Sequence, residues 1–70
     1  MEFIITQPIL VSQQQDEIVT INNWDIIIRK VKANNESEAI GKFIINTSQI
    51  KAKEKLPVVC IDLKKLTTLN

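Results

Sequence analysis

The chain reads as a small α+β domain: a two-layer β-β-β-α-β unit with a small, mostly antiparallel sheet and one helix packed on one face. Three observations predict this class. Short β-rich runs recur at residues 3–5, 9–11, 18–21 and 24–28. A helical repeat of apolar residues follows an asparagine-led start near Asn35. Beyond Pro57, Val58-Val59-Cys60-Ile61 reads as one more short buried strand. The whole of residues 1–70 forms one domain, with 63–70 either a loose tail or a single helical turn.

The first strand is expected near 2–12. Gln7-Pro8 interrupts it, and proline, which lacks a backbone donor, is confined to edges and bulges in sheets, so this reads as a broken edge strand. A polar stretch from Ser12 to Asp16 makes a loop. Residues 17–21 and 24–32 then look like a β-hairpin about Asn22-Asn23, because asparagine tolerates the positive φ that a two-residue turn requires. That turn places Val19, Ile21, Trp24, Ile26 and Ile28 on one face, which reads as the core, with Trp24 anchoring the hairpin against the helix. Ile18, Thr20, Asp25, Ile27, Arg29 and Val31 fall on the other face.

The helix is expected over roughly 36–50. Asn35 followed three residues later by Glu38 is a capping-box variant, and Glu36 adds negative charge where the helix dipole favours it. Ala39, Ile40, Phe43, Ile44, Thr47 and Ile50 repeat at helical spacing. Gly41 could let the helix approach the sheet closely. Pro57 ends any helix, and a right-handed crossover should carry the chain from the central strand over the helix to a last strand at 57–62.

Several function classes are weakly supported by composition. The chain has no histidine, hence no proton shuttle near neutral pH and no Ser/His or Cys/His pairing. Cys60 lies within an apolar strand and reads as a buried structural thiol. Asp16-Glu17 and Glu36/Glu38 fit turn and cap roles, and one glycine cannot make a phosphate-cradling loop. The expectation is a protein without enzymatic activity, metal or cofactor, and without a small-molecule substrate. The unpaired cysteine fits a reducing compartment, so a cytoplasmic setting is expected. No apolar run approaches the roughly 20 residues that span a bilayer, and Met1-Glu2 leads straight into a strand with no signal-peptide pattern.

Charge is the sharper signal. Residues 1–28 carry Glu2, Asp16, Glu17 and Asp25 and no base, a net of −4; residues 29–70 carry nine bases against Glu36, Glu38, Glu54 and Asp62, a net of +5. Such asymmetry bears on partners and association rather than on fold. Four acids over 28 residues are too sparse to imitate DNA, with its one charge per ~1.7 Å of axis. The basic residues Arg29, Lys30, Lys32, Lys51, Lys53, Lys55, Lys64 and Lys65 form a candidate patch.

Apolar content is the other signal. Residues 3–5, 9–11 and 26–28 are apolar on both faces, yet one short helix covers only one face of a sheet. Residues Ile18, Ile27, Arg29 and Val31 are therefore the candidate protein interface. The reading is a non-enzymatic protein-binding module, either a homodimer or a small accessory or inhibitory protein acting on a larger protein machine. Lysine-, isoleucine- and asparagine-rich usage fits a viral or mobile-element source. The alternative is a small nucleic-acid-binding protein that uses the lysine-rich half.

Overall fold

A computed structural model describes residues 1–67 of the chain. Its elements are β1 (Glu2–Gln14), β2 (Thr20–Lys32), α1 (Glu36–Asn46), β3 (Glu54–Lys55), β4 (Val59–Asp62) and the short α2 (Leu63–Thr67). The expected class holds: a four-stranded antiparallel sheet with one helix packed against it. The detailed order differs, because the third strand expected before the helix does not exist and two short strands follow it instead. The residues beyond 67 of the expected tail lie outside the described residues.

The largest correction concerns the hairpin. Asn22-Asn23 is not a turn but the middle of one continuous strand, β2, which pairs with β1 from Glu2↔Lys32 to Gln14↔Thr20. The turn lies at 15–19. There the Asp16 carboxylate accepts the backbone N–H groups of Ile18 and Val19, both at 2.8 Å, and the Gln15 N–H donates to the Val19 carbonyl at 2.9 Å. A short aspartate that satisfies its own loop backbone makes a turn without glycine.

Pro8 supplies a second correction. Its strand, β1, is central rather than edge: β2 runs along one side, and β3 and β4 share the other. On that side Ile9 and Leu10 face Lys55 and Glu54, whereas Phe3–Thr6 face Asp62–Val59. The register thus slips by one residue, and Gln7 is opposed by both Pro57 and Val58, a β-bulge. Leu56 donates its N–H to the Pro8 carbonyl at 3.0 Å. The Leu56 carbonyl, which residue 8 of an unbroken ladder would have reached, accepts from Gln7 Nε2 at 2.9 Å. A side-chain amide thus replaces the donor that proline lacks, so the proline sits at a bulge of the central strand.

The last strand, β4, pairs antiparallel with β1, as β2 does, so β2 and β4 run parallel to one another on either side of β1, and the connection between them by way of α1 is a parallel crossover that skips the central strand.

The start of α1 follows the sequence closely. Asn35 Oδ1 accepts the Glu38 N–H at 2.8 Å, and Glu38 Oε2 accepts the Asn34 N–H at 3.1 Å. The helix stops at Asn46, short of residue 50, where both the N–H and the hydroxyl of Thr47 donate to the Phe43 carbonyl. Its inner face carries Ala39 and Phe43, fully buried, with Ile40 packed beside them; Ile44, expected on this stripe, is exposed. A Cβ on Gly41 would meet nothing within 4 Å, so close approach to the sheet does not explain that glycine.

The core lies between α1 and one face of the sheet: Phe3, Ile5 and Ile9 of β1, Ile27 of β2, then Ala33, Ala39 and Phe43. These strand residues are all odd-numbered, as alternation along paired strands requires.

Two stability outcomes follow. Phe43→Ala should cost about 3–5 kcal/mol in urea unfolding, enough to unfold so small a domain. Ile27→Ala should cost about 2–5 kcal/mol, and Ile26→Ala clearly less because its side chain already faces water. Equal losses at 26 and 27 would mean that the register of β2 is wrong.

Candidate functional site: the bare face of the sheet

Even-numbered strand residues project away from the helix. The short α2 lies against β1 and β4, with Leu63 and Lys64 beside Glu2 and Lys32 at one end of this face. Trp24, Ile26 and Ile28 of β2 are 59%, 57% and 58% exposed, and Val59 of β4 is 52% exposed. Between these two rows run Ile4, Thr6, Pro8 and Leu10 of β1, half-buried by their neighbours, with Ile61 opposite Ile4. The result is one contiguous apolar surface. Large apolar patches on a folded domain mark interaction sites.

Charges frame this surface at its two ends. At one end Lys30 Nζ lies 3.1 Å from Glu2 Oε2, with Lys32 next along the strand. The Glu2 carboxyl is held below its ordinary pKa, mainly by the hydrogen bond from Lys30 and then by that cation's charge. At the other end stands Glu54 opposite Leu10, and beyond it the hairpin loop carries Asp16 and Glu17. Asp16 is likewise held low, by the two backbone N–H groups it accepts.

The outer edge of β2 is a separate feature. The Ala33 N–H to Met1 carbonyl bond of 3.0 Å fixes odd residues as those bonded to β1, so even residues of β2 point their backbone groups outward. Three of those groups are occupied. Asp25 Oδ1 accepts the Ile26 N–H, Arg29 Nη1 donates to the Ile28 carbonyl, and Lys42 Nζ donates to the Lys32 carbonyl, each at 2.8 Å. These three contacts interrupt the edge as a template for another strand without closing it.

The residues expected at the interface do not share a surface. Ile27 is buried in the core and Val31 packs against it. Arg29 is exposed on the helix side, its Nε bonded to Asn46 Oδ1 at 3.3 Å. Ile18 is nearly fully exposed, but at the hairpin tip. Conversely Trp24, Ile26 and Ile28, expected in the core, form the outer surface. The error has one cause: a turn at 22–23 reverses which residues of the two flanking segments lie on the same side.

The basic residues also divide. Arg29, Lys30 and Lys32 line a groove with Lys42 and Asn46, and Lys64 stands beside Glu2 and Lys32. Lys51 and Lys53 flank Ser12, and Lys55 faces Ile9, roughly 20 Å further along the strands at ~3.3 Å per residue. Lys65 belongs to α2. In the groove Lys30 is paired with Glu2, Lys42 with Glu38 at 3.3 Å, and Arg29 with Asn46.

No group of three or more His, Cys, Asp or Glu comes together among the described residues. Cys60 is half-buried, and its thiol is pushed up, first by burial and then by the nearby Glu36 and Asp62 carboxylates, so it stays protonated and unreactive near neutral pH. Among the described residues no helix is long and apolar enough to cross a membrane.

A carboxylate with a depressed folded pKa contributes stability above its unfolded value and loses it as pH falls through the folded value. An NMR titration should therefore place the Glu2 midpoint below that of an ordinary glutamate, and Lys30→Ala should raise it. An unmoved midpoint would mean that the pair does not form in solution.

No family model matches the chain, and neither a curated protein nor a solved structure is detectably similar to it.

Proposed function

We propose that the chain is a non-enzymatic protein-binding module, a homodimer or a small accessory or inhibitory protein, and that it binds through the bare face of its sheet. The observation that carries this reading is the exposure of Trp24, Ile26, Ile28 and Val59 on one surface, the side of the sheet away from α1. Tryptophan is among the residues that dominate binding energies, and here it stands in the open. The unpaired Cys60 supports a reducing, cytoplasmic setting for this role.

A second reading, nucleic-acid binding, draws on the cations gathered beside α1. It is the weaker one, because three of the four already hold partners within the chain and Lys51, Lys53 and Lys55 lie elsewhere. Only Trp24 offers an exposed ring of the kind that stacks on bases, and it belongs to the apolar face.

A photo-reactive benzophenone amino acid at position 26, compared with one at the exposed position 45 of α1, tests the leading reading in the full chain. Protein adducts from 26 and not from 45 are expected. Adducts from neither, or equally from both, would overturn it. Titration with DNA and RNA at low and high salt should give no tight complex; binding that weakens steeply with salt would favour the second reading.

A further inference from the structure

Resting on that reading of the bare face, we infer that its occupant is a second copy of this chain, stacked face to face about a two-fold axis with the strands of the two copies running in opposite directions. Three observations lead there.

The first is area. A stable interface removes at least about 1,200 Å² in total, about 600 Å² from each copy, and Trp24, Ile26, Ile28 and Val59, each more than half exposed, with the half-buried row between them, are the surface that would supply it. Two sheets packed through apolar faces also make the ordinary β-sandwich, with a core about 10 Å thick.

The second is the distribution of charge on the face itself. Lys30 and Lys32 stand at one end together with Glu2, which pairs with Lys30 at 3.1 Å and leaves that end one positive charge in excess; Glu54 and the hairpin loop with Asp16 and Glu17 stand at the other. Parallel stacking would gather both lysine-bearing ends at one end of the stack and both acidic ends at the other. Opposed stacking brings each lysine end toward the acidic end of the other copy. It also lays Lys30 over the Trp24 ring, a favourable cation–π partner. Lys55, opposite Ile9, projects to the helix side and takes no part.

The third is register. β1 and β2 present their bare-face residues at matched levels: Ile28 beside Thr6, Ile26 beside Pro8, Trp24 beside Leu10. A two-fold axis at the level of Gln7 sets Ile26 over Ile28 and Leu10 over Ile4, apolar on apolar. Such self-complementarity is what an isologous contact demands. The three occupied groups along the outer edge of β2 count against the rival arrangement in which two copies would pair through that edge.

Sedimentation equilibrium over a range of concentrations tests the inference, with circular dichroism confirming that each variant folds. The 8.0 kDa chain should approach twice its mass as concentration rises. Ile26→Glu and Val59→Glu should each weaken self-association at least about 100-fold by forcing a charge into an apolar contact. Val59 separates face from edge: it lies on β4, across the sheet from the open side of β2, so a dimer paired through the β2 edge would tolerate Val59→Glu and overturn the inference. Spin labels at positions 22 and 32, in a Cys60→Ser background, report direction. A short distance between 22 of one copy and 32 of the other, with 22-to-22 longer by about 30 Å at ~3.3 Å per residue, is expected; the reverse pattern would overturn it. A strictly monomeric wild type would end the second-copy assignment, while adducts from position 26 to a different protein would leave the binding module standing.

Discussion

The pairing of β1 with β2 is the constraint on which the rest of the molecule depends. Thirteen residues of each strand are locked in one antiparallel register, and the side chains alternate without a break along both. The long helix α1 covers one side. Every odd residue of the pair is therefore a candidate for the core and every even residue is left to water or to another molecule. A slip of one position would exchange Ile5, Ile9 and Ile27 for Ile4, Leu10 and Ile26, turning the molecule inside out. The bulge at Pro57-Val58 operates within this frame, adapting the short far strands to a central strand that contains proline.

Much of the architecture was legible from local chemistry. The capped start of α1 was readable because Asn35 and Glu38 act on backbone groups within four residues, and Ala39 and Phe43 point the same way in any packing. The apolar excess was readable too, since Ile26-Ile27-Ile28 cannot face one side only. What could not be read locally was which side the helix takes. Asn22-Asn23 looks like a turn because two polar residues separate two apolar runs, whereas the ladder to Val11 and Ser12 holds them extended. Pro8 misled for a similar reason: its rule concerns a missing donor, and Gln7 and Leu56, far apart in the chain, jointly remove the problem. Both errors arise where long-range pairing overrides a sound local preference, and the first of them exchanged the expected core and the expected interface.

The charge asymmetry of the chain becomes, in three dimensions, a set of short-range pairings with a residue of unbalanced ends. Lys30 meets Glu2 and Lys42 meets Glu38, each joining the acidic and basic parts of one neighbourhood. These exposed pairs contribute little to stability. Their larger effect is to spend cations that a diffuse basic patch would have offered to phosphates. What remains unbalanced lies at the two ends of the bare face, where it orients a partner rather than holding the fold.

The side chains lying along the outside of β2 carry a consequence for how many molecules can join. Strand-to-strand growth has no natural stop, since each added chain offers a fresh edge, and it leads toward fibres. Asp25, Arg29 and Lys42 obstruct that route while leaving the broad greasy surface available. Contact through such a surface uses itself up once two layers have met. The molecule can thus stay adhesive in one direction and finite in number, a combination that a smooth, unobstructed ribbon with the same isoleucines would lack.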